Sequence, residues 1–152
     1  MAFDIEVTDL ADKAETGYEF DSWDIDTSTA KKYDSDTEVK GNFKKLEDII
    51  PGTNDDGTLK EKPDGYVTVR FLVDKNGKLE GETVYYVNPE ARKTIKEINA
   101  PNIVENAGYV IGTPNWKPDL DNDDSVINKD RYYIANLETE VIIPTEFEIN
   151  YI

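Results

Sequence analysis

The segment "GYVTVRFLVDKNGKLEGETVYYV" at 65–87 constrains the fold more than any other part of the chain. Val67, Val69, Phe71 and Val73 alternate with Tyr66, Thr68 and Arg70, the period-two pattern of a strand that buries one face. Asn76-Gly77 is a strong short-range hairpin signal, because both residues tolerate positive φ. A return strand is predicted from about Leu79 to Val87. Asn88 and Pro89 then read as a cap and a first helical position, predicting a helix over 89–99. Ala91, Ile95 and Ile98 form its inward stripe, Arg92, Lys93, Lys96 and Glu97 face water, and Ala100-Pro101 stops it. A hairpin followed by a helix buries one sheet face beneath that helix, so the expected class is α+β.

The flanking sequence is less regular. Phe3, Ile5 and Val7 alternate with polar residues and predict a short strand. Tyr18, Phe20, Trp23 and Ile25 lie in an irregular stretch that reads as a loop pinned by aromatics. Phe43, Leu46 and Ile50 stand at helical spacing ahead of Pro51-Gly52, predicting a second helix. A strand is expected around residues 109–111. In the C-terminal segment Val141, Ile143, Phe147, Ile149 and Tyr151 share a face, with Glu140, Glu146, Glu148 and Asn150 opposite. Pro144 cannot donate a ladder hydrogen bond, which suits an edge strand or a bulge. No internal repeat is apparent. The organisation expected is an acidic segment at 1–64, packed on or preceding a domain at 65–152.

Composition decides what chemistry is open. The chain of 152 residues has no Cys and no His, which excludes disulfide scaffolds, thiol nucleophiles, histidine zinc sites and Ser-His-Asp triads. No phosphate-cradling glycine motif occurs. The net charge of −16 opposes binding to nucleic acid and to anionic membrane surfaces. Residues 1–64 carry 18 acids against 8 bases, so the excess is concentrated at the front. The start "MAFDIEVTDL" is unlike a basic-then-apolar secretory signal, and no apolar run is long enough to span a membrane. With 33 acids, chance carboxylate pairs are unavoidable, and nothing fixes two of them across a cleft as glycoside hydrolysis requires. No catalytic residue and no cofactor is assigned.

In their order, the elements from 65 onward resemble the C-terminal domain of TonB-type energy transducers. The residues that carry the likeness are "VTVRFLVDKNGKL", the helix expected at 89–99, "WKP" at 116–118 and "PTEF" at 144–147. The resemblance implies a two-layer α/β fold: an antiparallel sheet with one or two helices. It also implies a periplasmic or cell-envelope location. The expected function is then a non-catalytic protein-interaction module that captures an extended peptide or a neighbouring subunit by strand addition. The edge strand it implies comprises Val141, Ile142, Ile143, Pro144, Thr145, Glu146, Phe147, Glu148 and Ile149, with Phe147 anchored to the core.

Two other classes stay open. One is a structural component of a larger assembly, cell-surface or virion-associated, in which the N-terminal segment wraps a neighbour. The other is a calcium-stabilised secreted domain, built on "DLDNDDSVINKD" at 119–130. Asp119, Asp121, Asp123, Ser125 and Asp130 stand at positions 1, 3, 5, 7 and 12 of a candidate calcium loop. Asp124 replaces the glycine of the sharp turn, and Asp130 is shorter than the bidentate Glu expected at the last position, so a solvated loop is the favoured reading. Trp116, between Pro114 and Pro118, is expected to anchor in the core.

Overall fold

In the computed structural model, which describes residues 14–23 and 41–141, the chain is built from strands joined by turns. They are β1 (Tyr18–Trp23), β2 (Gly41–Lys45), β3 (Ile49–Pro51), β4 (Val67–Leu72), β5 (Gly77–Glu80), β6 (Val84–Val87), β7 (Asn102–Glu105), β8 (Tyr109–Lys117) and β9 (Arg131–Thr139). Five of them form one sheet in the order β3-β6-β4-β9-β8, while β1-β2 and β5-β7 are separate pairs. The fold is sheet-rich, and among the described residues there is no α-helix to supply the helical layer of the expected α+β class. The expectation of a wholly antiparallel sheet is corrected at its centre. There β4 runs parallel to β9, a pairing that the long crossover between them permits.

The alternation at 67–73 is realised as expected. Val69 and Phe71 are buried on the inner face, where Val67 and Val73 pack against the same cluster. Phe71 meets Trp116 edge-on at 5.2 Å and stacks on Tyr133 at 5.8 Å. Such aromatic pairs add about 0.5–1.5 kcal/mol beyond the area they bury. Trp116 is buried, so the tryptophan does anchor the core. Ile95, Ile98 and Ile127 complete that cluster from the connecting loops.

Three local expectations are corrected. First, Asn76-Gly77 does not turn β4 onto its antiparallel partner. Gly77 opens β5, which pairs with β7, and the chain reverses at Gly81 (φ 118°) before β6 returns beside β4. Second, the helix expected over 89–99 is two single turns of 3-10 helix, Pro89–Ala91 and Ile95–Glu97. The Asn88 cap forms as read, accepting from the Glu90 amide, but Arg92 adopts a left-handed conformation (φ 54°) that ends the turn. Thr94 then bridges Val126, and the Ile127 amide donates to the Lys93 carbonyl, so this backbone serves a sheet-like contact. Third, the helix expected from Phe43, Leu46 and Ile50 is two strands. Phe43 pairs with Phe20 in β2, and Ile50 pairs with Tyr86 in β3. Strand β3 forms one edge of the large sheet.

Strands β1 and β2 form the same kind of hairpin as β8 and β9, where a pinned loop was read. Tyr18↔Lys45, Phe20↔Phe43 and Trp23↔Gly41 match Tyr109↔Thr139, Ile111↔Leu137 and Trp116↔Ala135. In each, the first strand bulges between the last two of these pairs. Each opens on a turn, closed by Tyr18 N–H to the Glu15 carbonyl (3.0 Å) or Tyr109 N–H to the Asn106 carbonyl (3.1 Å). A glycine of positive φ precedes each tyrosine, Gly17 at 92° and Gly108 at 90°. Its carbonyl accepts from Leu46 N–H (2.7 Å) in one hairpin and from Glu140 N–H (2.8 Å) in the other.

Candidate functional site

The large sheet has two unlike faces. Its inner face holds the main core. On the outer face Tyr66, Val84 and Tyr86 form a second buried cluster, covered by Leu46 and Ile50. The Tyr66 hydroxyl donates to the Glu47 carbonyl and the Tyr86 hydroxyl to the Lys60 carbonyl, each at 2.8 Å, which pins the covering segment down. Among the described residues that cover lies on the β3-β6 side. Over β4 and β9 the outer face carries Leu72, Tyr132 and Ile134, exposed by 44%, 57% and 40%.

Register makes these residues one stripe. Leu72 pairs with Ile134, and Ile134 pairs in turn with Lys117 of β8, so three side chains lie in a row across three strands. Arg70 pairs with Tyr132 one step along. A shallow groove of about 350 Å³ lies beside the row, lined by Thr68, Arg70, Asp130, Arg131 and Tyr132. Asp130 is held there by the Thr68 amide, which donates to its Oδ1 at 2.8 Å. Arg70 and Lys117 are exposed and form no ion pair among the described residues. An apolar stripe flanked by two cations is unusual on a protein of net charge −16. Contiguous exposed apolar surface of this kind marks a contact site in many monomers. The sequence carried a signal for it that the expectations above did not use. In "RYYIAN" apolar residues fall on both alternating faces, so one of them must lie on the outside of a two-faced sheet.

The acidic loop is organised around one of its carboxylates. Asp123 turns inward: its Oδ2 accepts from the Tyr133 hydroxyl at 2.6 Å, and its Oδ1 accepts from the Ser125 amide at 3.0 Å and the Ser125 hydroxyl. Arg131 stands 3.4 Å away and donates to the Val126 carbonyl at 2.9 Å. Burial opposes the charge on Asp123. The Ser125 and Tyr133 hydrogen bonds and the Arg131 charge outweigh that penalty, so its carboxyl sits below the ordinary value. Burial, and then the bond to Asp123, push the Tyr133 hydroxyl above its ordinary value.

Of the other candidate calcium ligands Ser125 joins Asp123, while Asp119, Asp121 and Asp130 do not. Asp130 is committed to the Thr68 amide. Asp119 accepts from the Asn122 side chain through Oδ2, while its buried Oδ1 has no hydrogen-bond partner among the described residues. Asp121 is exposed. Asp124, which was not in the ligand set, pairs with Lys96. Among the described residues no three Asp or Glu side chains stand together as a metal site would require.

Of the edge strand expected near the C-terminus, Val141 is 78% exposed just beyond β9 and in no strand. The other expected members, Ile142, Ile143, Pro144, Thr145, Glu146, Phe147, Glu148 and Ile149, lie outside the described residues. Within them, the edges of the large sheet are the short β3 and the longer β8. No helix among the described residues is long and apolar enough to cross a membrane. The chain matches no family model, no curated protein and no solved structure, so the likeness to TonB-type domains rests on the sequence motifs alone.

Proposed function

We propose that this chain is a non-catalytic protein-interaction module whose contact surface is the outer-face stripe of Arg70, Leu72, Tyr132, Ile134 and Lys117. The observation that carries this reading is the row Leu72–Ile134–Lys117, laid across three paired strands and exposed beside the cluster that Leu46 and Ile50 cover. Its chemistry favours an extended partner that brings aliphatic or aromatic side chains together with carboxylates. Burying Leu72, Tyr132 and Ile134 supplies the affinity, at about 25 cal/mol for each Å² of apolar surface removed from water. Arg70 and Lys117 supply steering and register, which are effects sensitive to salt. Strand addition at the edge Val141 to Ile149, which the resemblance to TonB-type domains implies, would add backbone pairing with the partner.

The test uses the full chain and a synthetic extended peptide of alternating Phe and Glu as probe. Binding is measured at low and moderate salt for the wild type, for Arg70→Glu with Ile134→Asp, and for a chain lacking residues 142–152. Loss of binding in the double variant, with its denaturation midpoint unchanged, supports the stripe. Undiminished binding in that variant refutes it. Loss on truncation alone assigns the contact to the C-terminal segment instead.

A further inference from the structure

Among the described residues the β1-β2 hairpin pairs with no strand of the large sheet. A lone two-stranded ribbon is marginally stable in water and gains by packing against something else. One face of this ribbon is aromatic. Phe20 lies edge-on to Trp23 at 5.4 Å and to Phe43 at 5.9 Å, while Tyr18 and Phe43 stay 43% and 39% exposed. Glu15 stands beside them, and with Ala14, Tyr18 and Phe43 it lines a groove of about 270 Å³. The lysines of β2 are engaged, Lys44 by Glu19 at 2.8 Å and Lys45 by Asp48 at 3.1 Å. Glu15 and Asp21 form no ion pair among the described residues. The hairpin thus joins exposed aromatic surface to surplus negative charge.

The outer-face stripe is its complement. There Leu72, Tyr132 and Ile134 are exposed among two cations, Arg70 and Lys117, that are not ion-paired among the described residues. Such a surface fits an extended segment that carries aromatic side chains and carboxylates. The stretch "ETGYEFDSW" at 15–23 has that composition, and its residues 18–23 are held as a strand. Two stripes face to face would set cations against cations, and two hairpins would set acids against acids, so neither surface suits a copy of itself. Stripe against hairpin matches charge and apolar surface together. The net charge of −16 on each chain opposes association. At about 0.15 M salt that repulsion is screened beyond roughly 8 Å, whereas charges in direct contact keep their attraction.

We propose that the β1-β2 hairpin of one copy docks on the outer-face stripe of another, setting Tyr18 and Phe43 against Leu72, Tyr132 and Ile134, with Glu15 beside Arg70. This rests on the stripe being the contact surface, as proposed above, and names its partner as a second copy of this chain. Because the two surfaces are unlike, a copy that has docked through its hairpin still offers its own stripe, and copies add head to tail.

The test is sedimentation of the full chain over a wide range of concentration. The wild type should gain mass as concentration rises. Arg70→Glu with Ile134→Asp breaks the stripe, and Tyr18→Ser with Phe43→Ser breaks the hairpin face. Each variant should stay a single chain with its denaturation midpoint unchanged. Mixed together they should form a one-to-one complex, since the first keeps an intact hairpin and the second an intact stripe. Glu15→Arg, which leaves every aromatic in place, should weaken association without a change in fold. A wild type that remains a single chain at all concentrations overturns the proposal, as does a mixture that yields no complex. The alternating Phe and Glu peptide keeps the two readings apart. Peptide bound at the stripe of a chain that does not self-associate removes the second copy and leaves the stripe standing. Self-association that survives Arg70→Glu with Ile134→Asp also overturns the proposal, because it takes the stripe out of the contact.

Discussion

The Tyr133 hydroxyl donates to Asp123 Oδ2 at 2.6 Å, joining the acidic loop at 119–130 to the centre of the large sheet. Tyr133 stacks on Phe71 in the core, so the loop is tied through one phenol to the residues that define the inner face. Replacing Asp123 by Ala leaves a buried hydroxyl without an acceptor and Arg131 without its carboxylate. The expected cost is about 1–3 kcal/mol, the usual penalty for a buried polar group left unsatisfied. Urea denaturation measures it. A loss near zero would mean that water replaces the carboxylate and that the tie is incidental.

The same pair sets the acid and alkaline limbs of stability in opposite senses. The folded-state pKa of Asp123 lies below its ordinary 3.8. Its contribution is therefore complete above that value and is lost as pH falls through the lowered one. The pKa of Tyr133 lies above its ordinary 10.0, so its contribution is complete below that value and is lost as pH rises past it. Asp123→Asn should flatten the acid limb of a stability–pH curve, and Tyr133→Phe the alkaline limb. An acid limb of unchanged steepness in Asp123→Asn would assign the acid sensitivity to other carboxylates.

Calcium should not raise the melting midpoint. Asp123 already accepts from Ser125 and Tyr133 beside Arg131, and Asp130 from the Thr68 amide, so a cation would have to displace bonds that hold the loop to the sheet. Ligand binding to the native state raises the midpoint by mass action. A melting curve with and without millimolar Ca²⁺ reads this directly, and a clear upward shift would restore the calcium-stabilised reading.

What the sequence made legible was local and alternating. The faces of β4 followed from period two alone, and Trp116 followed from its bulk between two prolines. What it hid was decided by distant partners. Phe43, Leu46 and Ile50 satisfy helical spacing, yet Phe43 is claimed by Phe20 across the β1-β2 pair, while Leu46 and Ile50 are claimed by the Tyr66 cluster. The 89–99 stretch has a sound cap and an apolar stripe, but its backbone is used in bridging Val126. The likeness of the two hairpins was hidden because "GYEFDSW" and "GYVIGTPNW" differ in length between the tyrosine and the tryptophan, where both pairings shift register. The outer-face stripe needed the parallel β4-β9 pairing, which joins residues about sixty positions apart and leaves no trace in local pattern.

Gly77 illustrates the difference between a residue chosen for a turn and one chosen for space. The sequence placed it in a hairpin turn, where positive φ would be its reason. In the fold it is extended within β5, and a Cβ there would meet the Val104 carbonyl oxygen and Leu137 Cδ1, each at 2.6 Å. The oxygen belongs to the paired strand β7 and cannot yield without breaking the ladder. Gly108 is the reverse case, with φ of 90° and open space around the position of its absent Cβ. Gly77→Ala should therefore destabilise by overpacking, about 1–3 kcal/mol. Gly108→Ala should cost about 1–2 kcal/mol of backbone strain. A companion Leu137→Ala separates the two, because it relieves one of the two clashes at position 77 and touches nothing around position 108. In double-mutant cycles by urea denaturation, the cost of Gly77→Ala should fall in the Leu137→Ala background, while that of Gly108→Ala should not move. Equal coupling at both glycines would show that Gly77, like Gly108, is selected for its backbone and not for the closeness of β7.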